Sequence, residues 1–155
     1  MKKVLAAMFS AIALAGCAEP VERMVQTPSG RPEVSFASKS AASVSEKLTA
    51  MCAQKGWLIQ KSSPQEVVCG GTMQGGGAVM TQLLIGNSYS TTPEQYARFT
   101  IYPVNGQTRV QLHQWVETQM AFGQVKKLEI NGNAQFNNAM KALIDMGGKP
   151  VTVGS

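Results

Sequence analysis

Residues 96–120 read YARFTIYPV-NG-QTRVQLHQWVETQM and carry the clearest structural signal in the chain. Asn105-Gly106 joins two runs of alternating apolar and polar residues, a pattern that is typical of a β-hairpin with a type I′ turn. A two-residue turn fixes the register, so that Val104 pairs with Gln107. Because side chains alternate across a strand, the hairpin has one apolar and one polar face. The apolar face holds Phe99, Ile101, Val110 and Leu112, and Val116 and Met120 continue it.

The polar face of this hairpin is the candidate binding surface. Aromatic and Arg side chains dominate the hot spots of protein interfaces. Cross-strand pairs of the same residue types also stabilise a sheet, each by roughly 0.2–1 kcal/mol, so a structural role is the alternative. A second alternative is that the last helix covers this face. The candidate face comprises Tyr96, Arg98, Tyr102, Arg109 and Trp115, where Tyr96 lies opposite Trp115, Tyr102 opposite Arg109, and Arg98 opposite His113.

Apolar spacing predicts one helix before the hairpin and one after it. The first begins near the capping box Ser43-x-x-Glu46 and ends at Gly56. The second spans residues 133–146, with Asn131-Gly132-Asn133 as its cap, and it stops at two glycines. The apolar stripes are Val44, Leu48, Met51 and Cys52 in the first helix, and Phe136, Met140, Leu143 and Ile144 in the second.

Short strands complete the predicted fold. Residues 33–37 alternate in polarity, and residues 57–60 and 66–69 flank a turn at residues 61–65. The predicted class is therefore α+β, an antiparallel sheet of about five strands with two helices packed on one face. We expect the helices to bury the side of Phe99 and Leu112, and to leave the aromatic and Arg side exposed.

Residues 70–92 carry no decisive pattern. Five glycines lie within residues 70–77, but a phosphate-binding loop needs a Lys after its glycines, and residues 70–92 contain none. Residues 78–85 form an apolar run whose length suits either a strand or a short helix. The structure of this stretch is therefore left open.

The N-terminal residues have the parts of an export signal. A basic start precedes the apolar residues 4–14, which are too few for the ~20 that cross a bilayer. Leu14-Ala15-Gly16-Cys17 then resembles the lipobox of the bacterial lipoproteins at all four positions. The resemblance implies that signal peptide 1–16 is removed and that Cys17 carries acyl chains such as palmitate. An ordinary secretory signal is the alternative.

The same resemblance implies a location and a domain plan. In Gram-negative members of that family, Asp directly after the lipidated Cys retains the protein at the inner membrane. Ala18 stands there, which implies the periplasmic face of the outer membrane, with the inner membrane less favoured. Residues 17–32 are then the lipidated Cys and a flexible linker. Residues 33–148 form a single α+β domain, and residues 149–155 form a mobile tail.

Two cysteines remain once Cys17 is assigned to lipid. Export to an oxidising compartment favours a disulfide between Cys52 and Cys69. The first helix turns Cys52 inward, and Cys69 lies on the strand face that this helix would cover. The bridge would close a loop of about 18 residues and contribute about 3 kcal/mol. Two buried free thiols are the alternative.

The composition argues against several classes of function. The formal charge of +5 falls to +3 when Lys2 and Lys3 leave with the signal, and the only adjacent basic pair after it is Lys126-Lys127. We therefore expect no nucleic-acid binding. The chain has one His, His113, and one Asp, and no residues match a nucleophile motif. We expect no catalytic residues, no metal and no cofactor.

These observations favour a non-enzymatic envelope lipoprotein that is anchored to the membrane through Cys17. Its domain would bind a protein partner in a secretion, conjugation or assembly complex. The element order is similar to the helix-grip domains of the lipoprotein C subunit of the outer-membrane β-barrel assembly machinery, a resemblance that assigns no functional residue. The alternative is a small lipid- or hydrophobe-binding module, with an apolar cavity between Leu112 and the helix of residues 133–146. A weak hydrolase would need a buried polar cluster around His113.

Overall fold

A computed structural model describes residues 20–73 and 91–154. The strands are β1 (Glu33–Phe36), β2 (Leu58–Ser63), β3 (Glu66–Thr72), β4 (Glu94–Val104), β5 (Gln107–Gln119), β6 (Val125–Glu129) and β7 (Lys149–Pro150). The helices are α1 (Ala41–Gln54) and α2 (Asn133–Asp145), and one 3-10 turn spans Ala121–Gly123. The predicted signal peptide, Cys17 and the apolar residues 78–85 lie outside the described residues.

The β4–β5 hairpin forms with the predicted turn and register. Asn105 and Gly106 have φ angles of 49° and 74°, the positive values that a type I′ turn requires. The observed pairs run without a break from Val104–Gln107 through to Tyr96–Trp115 and beyond. This long two-stranded ladder is the centre on which the other strands are built.

The sheet is antiparallel, and its order is β2-β3-β4-β5-β1-β7. Strand β5 is long enough to pair with β1 along residues 108–111 and with β6 along residues 115–119. The described residues therefore contain seven strands, where about five were predicted. Strand β6 lacks an apolar face because all five of its residues are exposed. Strand β7 has two residues and depends on its pairing with β1.

Both helices pack on one face of the sheet, which confirms the predicted α+β class. The core lies between the helices and the apolar side of the hairpin. Helix α1 contributes Val44, Leu48 and Cys52, and α2 contributes Phe136, Met140 and Leu143. The sheet contributes buried side chains on alternate positions of four strands: Val34, Phe36, Val67, Cys69, Ala97, Phe99, Ile101, Val110 and Leu112.

The helix ends agree with the sequence in part. Ser40, rather than Ser43, caps α1, and its Oγ accepts a hydrogen bond from the Ser43 N–H at 3.2 Å. Gly56 follows α1 with a φ of 70°, which suits its predicted role as the terminating glycine. The Asn133 side chain does not cap α2, because it forms hydrogen bonds with the Arg23 side chain and the Val21 carbonyl instead. The N-cap residue is Gly132.

The predicted flexible linker is largely part of the fold, so that prediction was wrong for residues 21–32. Residues 21–26, which we call the strap, lie along α2. Asn137 Oδ1 accepts a hydrogen bond from the Met24 N–H at 2.8 Å, and Asn133 Nδ2 donates to the Val21 carbonyl at 2.9 Å. Thr27 is buried, and Val25 packs against the core. Two Asn side chains on one helix face therefore hold the backbone of the strap.

The predicted mobile tail is also held through residue 153. The Val151 N–H donates to the Glu33 carbonyl at 3.0 Å, and the Val151 side chain is buried. The Val153 N–H donates to the Gln26 carbonyl at 3.1 Å. The tail is fixed because it extends the sheet beside β1 and then meets the strap, two contacts between residues that are far apart in sequence.

Candidate functional site

The five residues of the candidate binding face do not form one cluster. All five lie on the side of the sheet that the helices leave free. Tyr96, Arg98 and Trp115 gather at one end of the hairpin, where Tyr96 pairs with Trp115. Tyr102 and Arg109 lie at the end next to the turn, where both contact Glu33. Each group therefore has to be judged on its own contacts.

Trp115 was expected to be exposed, but its neighbours cover it. Only 7% of its surface is accessible. Tyr96 stacks on it with ring centroids 5.5 Å apart, and Arg98 and Lys127 lie 5.6 and 5.5 Å from its ring centre. Its Nε1 donates a hydrogen bond to Glu117 at 2.7 Å. The side chains of three strands thus already use the surface that a partner would have to contact.

The charged groups around Trp115 are paired with one another. Glu66 lies 2.5 Å from Lys61 and 3.1 Å from Arg98. The hydrogen bond from Lys61, only partly opposed by burial, lowers the pKa of Glu66. Burial raises the pKa of Glu117, but hydrogen bonds from Lys127 and Trp115 outweigh it and leave this pKa lowered. This end of the face is therefore a network of satisfied ion pairs that stabilises the sheet.

Tyr96 is expected to ionise well above the pH at which an ordinary phenol does. Burial, together with a hydrogen bond from its hydroxyl to Glu94, raises the pKa of Tyr96 from 10.0 to about 12. Because the folded-state pKa is the higher one, the stabilising contribution is complete below pH 10 and is lost as the pH rises towards 12. Ultraviolet titration of tyrosinate should show a late step that Tyr96→Phe removes and Tyr102→Phe leaves. A single shared step near the ordinary pKa in the folded protein would contradict this assignment.

Glu33 is the centre of the second group and is 2% exposed. Its carboxylate accepts hydrogen bonds from Ser29 Oγ at 2.7 Å and from the Tyr102 hydroxyl at 3.2 Å, and it lies 3.4 Å from Arg109 Nη1. Burial, and next the charge of Glu33, raises the pKa of Tyr102. This carboxylate joins β1, the hairpin and the segment before β1, so the second group holds the fold together.

A groove lies on the other side of the sheet, between α1 and α2, and has a volume of about 270 Å³. Its floor is apolar and comes from the hairpin and the helices. The apolar lining is Met51, Cys52, Trp57, Ala97, Phe99, Leu112, Ala139, Ala142 and Leu143. The polar lining is Lys55, Gln95, Gln114, Gln135 and Asn138. Four carboxamides and one ammonium group therefore lie around an apolar floor.

One of the two disulfide partners, Cys52, borders this groove. The sulfur atoms of Cys52 and Cys69 are 2.01 Å apart, so the pairing that the sequence favoured is the one in the structure. Both residues are buried. The bridge ties the last turn of α1 to β3, and it thereby holds one wall of the groove against the sheet.

The carboxamides of the groove were missed in the sequence, although a signal for two of them was present. The predicted register places Gln114 opposite Ala97 and Gln95 opposite Val116, on the apolar face of the hairpin. A polar side chain on a face that helices cover needs a hydrogen-bond partner or access to water. Gln95 and Gln114 therefore indicate that the helices do not close over this end of the sheet.

Comparison with family models, with curated proteins and with solved structures found no match for this chain. Within residues 20–73 and 91–154, no group of three His, Cys, Asp or Glu side chains is placed to hold a metal ion. No helix in that part of the chain is long and apolar enough to cross a membrane.

Proposed function

We propose that this chain is a non-enzymatic envelope lipoprotein, anchored through lipid on Cys17, whose domain holds a segment of a partner protein. The partner segment binds in the groove between α1 and α2. The lipobox residues support the anchor and the envelope location. The groove is the observation that supports binding. Its apolar floor is open, and the polar side chains at its border can form hydrogen bonds to a ligand.

The chemistry of the groove favours a peptide over a hydrocarbon chain. A carboxamide has both donors and an acceptor, which match the N–H and C=O groups of a peptide backbone. A hydrocarbon chain would leave such groups without partners. The volume of about 270 Å³ is below the ~300–1,000 Å³ that is usual for small-molecule sites. It suits one or two apolar side chains of a bound segment.

The outer face of the hairpin is the weaker site. A partner that bound there would have to separate Glu66 and Glu117 from their cations before it reached Trp115. Exposed ion pairs contribute little to stability, but breaking several of them without replacement opposes binding. We therefore place the partner site on the opposite side of the sheet from the face that the sequence favoured.

A small hydrophobe-binding module is the second candidate function. The groove lies between Leu112 and Leu143, which is where this alternative expects its cavity. Burial of apolar surface drives binding of an acyl chain as well as of a peptide. The two candidates differ in the molecule that the groove contacts in the cell.

The test is photocrosslinking in the cell with the probe in place of Gln135, which is exposed at the border of the groove. The control probe replaces Arg98 on the outer face, which is exposed as well. One dominant protein adduct from position 135, and none from position 98, supports the proposal. A lipid adduct from position 135 supports the second candidate. A protein adduct from position 98 alone would move the partner site to the outer face.

Filling the groove is expected to prevent binding. Ala142→Leu adds three carbon atoms to the groove wall and should reduce the protein adduct at position 135 about tenfold, which corresponds to about 1.4 kcal/mol. Ala53→Leu makes the same change at an exposed position of α1 outside the groove and should leave the adduct unchanged. Thermal unfolding of both variants checks that the fold is intact. Equal adduct yields from the two folded variants would argue against the groove.

A further inference from the structure

The strap is attached to the folded domain by a dense set of hydrogen bonds that centre on Arg23. The guanidinium group of Arg23 donates to Asn133 Oδ1 at 3.0 Å, to the Gly30 carbonyl at 2.7 Å and to the Asn131 carbonyl at 3.3 Å. It also lies 4.5 Å from the centre of the Phe136 ring. One side chain therefore joins the strap to the segment before β1 and to the start of α2.

The backbone of the strap is held as well, from its first residue to its last. Asn137 accepts from the Met24 N–H and donates to the Glu22 carbonyl at 2.7 Å. The Gln26 carbonyl accepts from Val153. Because these bonds include Val21 and Glu22, the folded domain extends N-terminal to residue 33, where the sequence placed its start.

The distance between the proposed anchor and the domain is consequently short. Three residues lie between Cys17 and Val21, and the four steps from one to the other span at most about 14 Å at ~3.6 Å per extended residue. The linker predicted through residue 32 would have allowed about 50 Å when extended. A helix with its side chains is about 10–12 Å across, so the strap and α2 cannot leave the vicinity of the lipid head groups.

The surface around the strap carries exposed apolar side chains. Val21, Met24 and Val153 each keep more than half of their surface accessible. Val21 and Met24 belong to the strap, and the Val153 backbone is bonded to it. Apolar side chains beside a lipid anchor lower the free energy of the bound protein when they enter the boundary between head groups and acyl chains. Such a second contact strengthens the attachment that a single anchor provides.

We propose that the strap and the start of α2 lie against the lipid surface, so that the domain is held on the membrane in one orientation. This inference rests on the proposed lipidation of Cys17. The short reach from the anchor and the exposed Val21, Met24 and Val153 both point to a lipid bilayer as the occupant of this surface. Strand β2 lies at the opposite edge of the sheet from β1 and β7, which lie beside the strap. In the proposed orientation, β2 therefore faces away from the bilayer.

The test uses the mature protein as cells process it, purified from their membranes and placed in vesicles of phosphatidylethanolamine and phosphatidylglycerol, with a lipid that carries a nitroxide quencher on its head group. Met24→Trp places the probe on the proposed surface, and Leu58→Trp is the matched control on β2, where residue 58 is 77% exposed. Both variants share the background emission of Trp57 and Trp115. We expect several-fold stronger quenching of the added Trp at position 24 than at position 58.

Flotation of the same vesicles separates the two possible failures. If the protein does not float with the lipid, the anchor itself is refuted, and the orientation with it. If the protein floats and the two positions are quenched equally, the anchor stands and the orientation is refuted. Protection at position 24 that increases with protein density would indicate a second copy on this surface and would also overturn the inference.

Discussion

Replacing Glu33 by Gln is expected to lower the free energy of unfolding by about 3 kcal/mol, because removing one partner of a buried ion pair leaves the other charge uncompensated. Gln keeps the shape of Glu, but one of its terminal atoms becomes a donor that faces the donors of Ser29, Tyr102 and Arg109. Arg109 Nε already has no hydrogen-bond partner among the described residues, so the guanidinium group depends on Glu33 for the compensation of its charge. The Arg109 side chain is 25% exposed, so the expected loss of stability is at the lower end of the range that is typical for breaking a buried ion pair.

Urea unfolding of the mature protein, followed by circular dichroism, measures this loss. Glu66→Gln is the matched control, since it removes the same charge from an ion pair on the same side of the sheet. Its partner Lys61 is 59% exposed, so water screens the pair and we expect a loss of at most about 1 kcal/mol. Equal losses for the two variants would show that Glu33 is not the buried centre that the structure describes.

Reducing the Cys52–Cys69 disulfide is expected to destabilise the protein by about 3 kcal/mol. The two cysteines are 17 residues apart, and opening a loop of that length restores conformational entropy to the unfolded chain. For a domain of this size the melting temperature should fall by about 10 °C. The lost bridge also frees α1 from β3, so the wall of the groove loosens before the hairpin opens.

Thermal unfolding with and without a thiol reductant measures the effect without a change of side chain. The double variant Cys52→Ala, Cys69→Ala is the control, and the reductant should not shift its melting temperature. A thiol assay under denaturing conditions confirms that reduction is complete. An unchanged melting temperature after complete reduction of the native protein would contradict the expected contribution of the bridge.

The hairpin shows what local sequence can predict. Its turn type, its register and the assignment of Phe99 and Leu112 to the buried face all follow from Asn105-Gly106 and from alternation over a few residues. The two helices and the disulfide partners follow from apolar spacing in the same way. Strand β6 was missed because a segment with the sequence Val-Lys-Lys-Leu-Glu is a strand only through its pairing with β5.

The candidate site was predicted less well than the fold. The sequence placed Trp115 and Arg109 on the correct face, but it could not show that Lys127 from β6 would cover the first, or that Glu33 would be buried beside the second. Both contacts join residues that are distant in the chain. The groove was expected only as a cavity of the alternative function, and its carboxamides were not recognised, although Gln95 and Gln114 interrupt an apolar face.

The sequence by itself determined the elements that depend on near neighbours, namely the hairpin, the two helices and the face that they bury. It also contains Leu14-Ala15-Gly16-Cys17, whose resemblance to a lipobox is visible without a folded structure because the four residues are contiguous. Only the tertiary structure decided that residues 21–32 belong to the folded domain and which surface is open. The strap lies on α2 through Arg23, Asn133 and Asn137, and hydrogen bonds between residues more than a hundred positions apart leave no periodicity in the sequence.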